Sequence, residues 1–331
     1  MRMLKQLFLV CCLGGLVSVV QATTLRIATL SPDGSAWMQV LRQASAEIKK
    51  TTAGRVDIRF YTGGSMGNDR TVLSKIRLGE LQGGALSLSS LDTYVKDVDL
   101  YNLPMLFNSY AEVDRVRAVV DPVLSQALEK AGWVNFGFAE GGFAYVMSHK
   151  VPVASVGQLR QHKVWIPEGD NFSLNALKLM RITPVPLSLG DVLPGLQTGM
   201  VDVVAGSPIA VLALQWQTEV HYMADLPISY LSGVLAIARR DFDRLSLADQ
   251  GVVRSVMTQA FRTLDRKNRA DNLGAYNALV AQGMHLVKTS AAERLEWQNV
   301  SLQVVQGLEN QGLVSTEGYQ RIMQVLTDHK P

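Results

Sequence analysis

A serine set among glycines is the first residue here that could do bond-making chemistry. Gly63-Gly64-Ser65-Met66-Gly67 matches the G-x-S-x-G elbow, in which a sharp strand-to-helix turn exposes a nucleophilic hydroxyl. His149, His162, His221, His285 and His329 follow it, so a nucleophile-before-histidine order exists. The serine comes early, however, before enough strands have passed to build a hydrolase sheet. No oxyanion-type glycine run precedes it, and glycine-rich turns also arise because glycine reaches positive φ. The histidines have no metal-ligand spacing, and there is no H-E-x-x-H, EF-hand loop or P-loop. The acids are scattered without a pair placed for acid–base work. No catalytic residue, metal or cofactor is therefore assigned, and a serine hydrolase at Ser65 stays as the alternative reading.

Aromatic side chains cluster near expected strand ends: Trp37, Phe107, Phe143, Tyr145, Trp165, Trp216 and Tyr230. Each by itself is more often a core residue than a ligand contact. Position favours some of them, because α/β sheets bind ligands in crevices outside the carboxyl ends of their strands.

The elements that would position these groups alternate. Thr24 to Thr29 and Val56 to Tyr61 read as strands, and Leu81 to Leu88 as a buried one. Between them lie helical spacings at Trp37, Val40, Leu41, Ala44 and Ile48, and at Val72, Leu73, Ile76 and Leu78. This order argues for a mainly parallel α/β sheet. Ser155 and Gln158 have capping-box spacing. A strand over Lys163–Ile166, two helices and a strand over Asp202–Ala205 repeat the alternation, and Leu231–Ala238 reads as a strand leading back to the first unit. Ser246 to about Gln282 keeps helical spacing without proline, with Gly251 and Gly274 as points where it would break. Ala291–Gly312 and Thr316–Thr327 read as closing helices.

The chain has 331 residues, with 32 basic and 29 acidic side chains. Its first 22 residues read as a secretion leader: Arg2 and Lys5, an apolar stretch from Leu7 to Val20, and the small-residue site Val20-Gln21-Ala22. The rest, 309 residues, is near neutral and contains no cysteine, since Cys11 and Cys12 are the only two. It can form no disulfide, and its stability rests on a large core that buries roughly 75% of the unfolded surface. No basic block interleaves with aromatics, so nucleic acid is not an expected partner.

The run from His162 to Pro208 is the most specific stretch. It places Lys163-Val164-Trp165-Ile166-Pro167 before a helix, then Pro184-Val185-Pro186, Leu196-Gln197-Thr198-Gly199, and Val201-Asp202. It resembles the solute receptors of tripartite ATP-independent periplasmic (TRAP) transporters, and Ile76-Arg77-Leu78-Gly79 with Gly83-Gly84 adds to the likeness. The resemblance covers nearly the whole chain after the leader. It implies a type II-like, two-lobed periplasmic-binding-protein fold of α/β class, with an interlobe cleft and a long helix spanning both lobes. The lobes expected are 23–145 with roughly 231–265, and 146–230 with roughly 266–331, and Ala144–Ser148 and Leu231–Ile237 are the hinge segments. The function implied is capture of a small organic solute by lobe closure in the periplasm and delivery to TRAP membrane permease subunits. A helical-repeat accessory protein is a further partner of some family members.

By the same resemblance, with the strand-end positions, ligand contacts fall at Trp37, Asn68, Ser89, Ser90, Trp165, Pro167, Gly206 and Ser207; Phe143 and Trp216 join them as aromatics near expected strand ends. In the family an arginine at the position of Trp165 clamps a substrate carboxylate. A guanidinium offers a planar fork of donors, an indole one N–H and a broad apolar face. The expectation is a more apolar cleft and a hydrophobic or stacked solute, with Arg77, Arg160 or Arg181 as substitute clamps. A binding-protein fold that has lost solute capture and fills its cleft with its own aromatics is a further alternative.

Overall fold

The computed structural model describes residues 22–328; the leader, with its cleavage site up to Gln21, lies outside the described residues. The chain opens with β1 (Thr23–Thr29), α1 (Ala36–Thr51), β2 (Val56–Tyr61), α2 (Asp69–Leu78) and β3 (Gly83–Ser87). Two 3-10 turns, Leu88–Leu91 and Lys96–Asn102, lead to α3 (Tyr110–Lys130) and β4 (Trp133–Ser148). Then come α4 (Val156–Leu159), β5 (Trp165–Pro167), α5 (Asn171–Leu179), β6 (Val185–Leu187), α6 (Val192–Thr198), β7 (Val203–Gly206) and α7 (Pro208–Ala213). β8 (Tyr222–Ala238), α8 (Arg239–Phe242), α9 (Leu247–Ala281), β9 (His285–Val287), α10 (Ala291–Asn310) and α11 (Thr316–Thr327) complete it.

Helix starts are set by side chains that accept the free amides of a first turn. Ser35, Asn68, Ser109, Asp170 and Ser246 each cap a helix in this way. Ser155 forms the full capping box with Gln158, as its spacing predicts, and Ser290 does so with Glu293.

In the first lobe β2, β1 and β3 run parallel; in the second, β5 and β6 do, and a parallel bridge from Val164 to Val203 joins them to β7. The two sets are linked by β4 and β8. These pair antiparallel along almost their whole length, β8 against β3 at one end and β4 against β7 at the other. Sixteen and 17 residues long, they reach about 50 Å at the usual strand rise. The sheet is therefore mixed where the sequence predicts a mainly parallel one. A chain that crosses between lobes on one strand and returns on its neighbour must run both ways.

α9 has 35 residues, also about 50 Å, and packs on α1 in the first lobe, on β4 at the crossing and on α7 in the second. Gly251 and Gly274 do not break it, since both sit exposed on the helix surface where no neighbour strains them. Two apolar cores flank the first lobe's sheet. One gathers Leu25, Ile27, Met38, Leu41, Phe136, Met257 and Phe261; the other includes Leu88, Tyr101, Val116, Phe138 and Tyr230 and runs on into the second lobe through Val164, Phe172, Met180 and Val203 to α10. The second lobe has its own core around Met147, Trp165, Val204, Trp216 and Met223. α11, expected with the second lobe, packs on α3 and the Lys96–Asn102 turn of the first. Ser315, which caps α11, donates through its N–H and hydroxyl to Asp97. Among the described residues no helix is long and apolar enough to cross a membrane.

Candidate functional site

The carboxyl ends of both sets of parallel strands meet across the gap between the lobes. On the first lobe, the loops after β1 and β2 are tied together: the Gly63 N–H donates to Ser31 O at 3.0 Å and the Gly64 N–H to Thr29 O at 3.1 Å. Gly63, Gly64 and Gly67 all have positive φ, which permits this turn. Asn68 then caps α2, accepting from the Thr71 N–H at 2.9 Å. Asp69 accepts from both the N–H (2.9 Å) and the hydroxyl (2.7 Å) of Ser87 at the end of β3, through one oxygen, Oδ2. Ser90 donates to Ser87 O at 2.7 Å, and Ser89 accepts from Asn102 at 2.5 Å. Asn102 also donates to the buried Asp99 at 3.2 Å.

On the second lobe the turn after β5 runs from Pro167 to Asp170. Asp170 caps α5, accepting from the N–H of Ser173 at 2.9 Å and its hydroxyl at 2.5 Å. Two contacts join the lobes here: Asn68 Nδ2 donates to Glu168 Oε2 at 3.1 Å, and Arg70 Nη2 to Gly169 O at 3.1 Å. Asn68, Ser89, Ser90 and Pro167 thus belong to segments gathered at this edge of the gap.

The aromatic residues are placed differently. Trp165 is buried in the second lobe's core, edge-on to Trp216 with ring centres 5.1 Å apart. Its indole N–H donates to Leu187 O on the neighbouring β6 at 3.1 Å. The ring is 7% exposed, so neither its N–H nor a broad face is offered to a solute. The stacked contact expected of it gives way to packing, because its ring is held between Leu187 O on β6 and the Trp216 ring. Trp216 is 2% exposed in the same core. Phe143 is wedged between Tyr110 and Tyr230. Trp37 lies edge-on to Phe261 and over Gly233 of β8, where a Cβ would stand 2.8 Å from its ring. Gly206 and the buried Ser207 lead from β7 into α7.

Arg160 donates to Met180 O, and Arg77 to Ser74, so both hold their own surfaces. Arg181 is exposed. Ser65 is exposed, and among the described residues no histidine hydrogen-bonds it. His149 and His162 pair instead with Glu219 and Asp202 in the second lobe. The strained backbone that defines an elbow falls on the glycines, not on Ser65.

Sequence reasoning missed the charged cluster where the lobes join. Glu140 on β4 is fully buried and accepts from Arg269 Nε at 2.8 Å and Arg117 Nη1 at 3.2 Å. Asp265 accepts from the Glu140 N–H at 2.9 Å, and Asn268 donates to its carbonyl at 2.5 Å. Arg117 also holds Asp121 and Phe138 O. One turn on, Asn272 donates to Gly141 O and accepts from Ile209 N–H of α7. These bonds fasten α3, α9 and α7 to the point where β4 changes lobe. β4 shifts register there, between Glu140 and Gly142 and between Ala144 and Tyr145.

Two α/β lobes, two crossing strands and a helix along both define a solute receptor of the periplasmic-binding-protein class. The sequence places it more closely. The chain belongs to family 7 of the bacterial extracellular solute-binding proteins, whose model matches residues 27–311. An uncharacterized protein of Salmonella typhimurium is 20% identical over 64% of this chain and 65% of its own length. A solute-binding protein of Roseobacter denitrificans is 24% identical over 87% of this chain and 90% of its own. A sugar-acid-binding protein from Advenella mimigardefordensis, solved with galactonate, superposes with a TM-score of 0.85 at 15% identity, over 94% of this chain and 99% of that one. A Bordetella pertussis extracytoplasmic receptor that binds pyroglutamic acid does so at 0.82 and 21% identity, over 92% and 100%.

Proposed function

We propose that this protein is the periplasmic receptor of a TRAP-type secondary transporter and takes a small organic solute into the gap between its lobes. The observation that carries the reading is the junction: two long strands and one long helix are the main connections between lobes that already touch at Asn68–Glu168 and Arg70–Gly169. Closure about the irregular segment of β4 and its partner stretch of β8 would bury the solute and present a changed surface to the permease. The lobes divide at about residue 145 and again near 231, with α9 shared and α11 returned to the first lobe. No covalent chemistry is involved, and Ser65 acts only as a turn residue. Ser89, Ser90, Asn68, Pro167, Gly206 and Ser207 are the polar and backbone contacts proposed for the solute.

The test is small-angle scattering on the mature protein, with the co-purifying small molecule identified by mass spectrometry after denaturation. The reading expects a radius of gyration that falls when the recovered solute is added back to stripped protein. A value unchanged at saturating solute would remove the hinged mechanism.

A further inference from the structure

Two charged side chains spend their only side-chain hydrogen bonds across the gap. Arg70 Nη2 donates to Gly169 O and Glu168 Oε2 accepts from Asn68 Nδ2, each at 3.1 Å. Among the described residues neither Arg70 nor Glu168 makes another side-chain hydrogen bond or an ion pair. The contacts lie at the rim, since Arg70, Glu168 and Gly169 are all exposed.

Each half is built on its own lobe. On the first, Asn68 gives Oδ1 to the Thr71 N–H, which leaves Nδ2 for Glu168, and Asp69 ties the same helix start to Ser87. On the second, the Glu168 N–H donates to Leu187 O of β6 at 3.0 Å and the Asp170 N–H to Pro167 O at 3.1 Å. Gly169 between them has φ +86°, and a Cβ there would stand 3.3 Å from Arg70 Nε. Glycine alone takes that backbone conformation without cost, and its bare Cα lets the guanidinium lie against the turn.

We infer that Arg70 and Glu168, closing on Gly169 and Asn68, form a latch that holds the lobes together independently of the solute. The closed form is then populated before a solute binds, and the two charged residues set affinity through that form and not through contact with the solute. The inference rests on the receptor reading above and names residues that govern retention. Losing one such hydrogen bond, net of hydration, changes an equilibrium about three- to tenfold. A smaller closed fraction weakens apparent affinity by one factor whatever the solute's chemistry. Release must break the latch first, so the effect falls on dissociation.

Stripped mature protein, spin-labelled at Leu78→Cys on α2 and Lys178→Cys on α5, is read by electron–electron resonance without solute at about 0.15 M salt, where long-range charge effects are screened. The parent should show a short-distance component beside a long one. Arg70→Ala and Glu168→Ala should each cut the ratio of short to long about three- to tenfold, and Arg70→Lys, which keeps a donor, should restore part of it. A parent without the short component, an unchanged ratio in either alanine variant, or a lysine variant no better than alanine overturns the latch. Timed dialysis of unstripped protein tests retention: mass spectrometry should find the co-purifying molecule lost about three- to tenfold faster from Arg70→Ala, and equal loss overturns the effect on affinity. The receptor reading stands apart from all of these outcomes, since the scattering experiment with added solute judges it separately.

Discussion

Glu140→Ala probes the junction most sharply. The carboxylate has no exposed surface and takes hydrogen bonds from two guanidiniums, Arg269 and Arg117. Arg117 is 13% exposed and would keep Asp121 and Asp265; Arg269, 30% exposed, would keep Asp114. Removing one member of a buried pair costs about 3–5 kcal/mol, because a buried charge loses its partner. The retained aspartates place the expected loss near the lower bound, about 3 kcal/mol. For a chain of this size, at ~2.1 cal/mol/K of unfolding entropy per residue, that is a fall of roughly 5 °C in melting temperature. Thermal unfolding followed by circular dichroism at pH 7.5 measures it. Glu140→Leu combined with Arg269→Met should recover part of the loss, since apolar replacement of a whole buried pair is often neutral. A fall under about 2 °C, or one abolished by 0.5 M salt, would mean the network is effectively a surface one and the reasoning fails.

Three further outcomes follow from the same contacts. Trp165→Ala should cost about 3–5 kcal/mol in urea unfolding, whereas Trp165→Phe keeps most of the packing and loses about 1 kcal/mol with the Leu187 bond; an Ala variant as stable as the parent would take the ring out of the core. Asp99 is pushed up to about 8 by burial, with repulsion from Asp170 and Asp92 adding to it. The folded state thus holds a proton that the unfolded state releases near pH 3.9, so this contribution is full below about pH 4 and is lost as pH rises through 8. Asp99→Asn should therefore gain on the parent by a few kcal/mol between pH 5 and 8, and parallel pH–stability curves for the two proteins would contradict this. Gly142 has φ +93°, and a Cβ there would stand 2.5 Å from Asn272 Nδ2. Gly142→Ala should destabilise by about 1–3 kcal/mol; Gly251→Ala, on the open face of α9, should be neutral or slightly stabilising, and equal losses in the two would refute the crossing-point argument.

The first lobe was legible because its signals are local. The spacing of Val40, Leu41, Ala44 and Ile48 gives α1, and β2 falls at Val56–Tyr61 as predicted; in the second lobe the Ser155–Gln158 box, equally local, also forms. The crossing was legible only in part: Leu231–Ala238 and Ala144–Ser148, read as crossing segments, are the ends of β8 and β4, while the rest of both strands was not foreseen. β4 carries Gly137, Gly141 and Gly142, and its register shifts between Asn135 and Phe138 and between Glu140 and Gly142 mark bulges there in a strand otherwise paired along its length. β8 extends from Tyr222 through Pro227, which supplies no N–H and sits beside a register shift opposite Tyr145. α3 carries Pro122 in its interior, against the usual helix rule. At the gap, Asn68, Ser89 and Ser90 were named through the family resemblance and Pro167 from its strand end; they stand on the segments that follow β2, β3 and β5. Trp165 shows the limit of that reasoning: a strand end says where a residue stands, but which neighbour its ring faces depends on β6 and α7, far off in sequence.

The central claim is that these lobes close on a solute, and the absence of cysteine after residue 12 allows a direct test. Spin labels at Leu78→Cys on α2 and Lys178→Cys on α5, both exposed, report the interlobe distance by electron–electron resonance. Adding the co-purifying solute to stripped protein should shorten and narrow that distance distribution. A distribution identical with and without saturating solute, while calorimetry shows binding, would contradict closure.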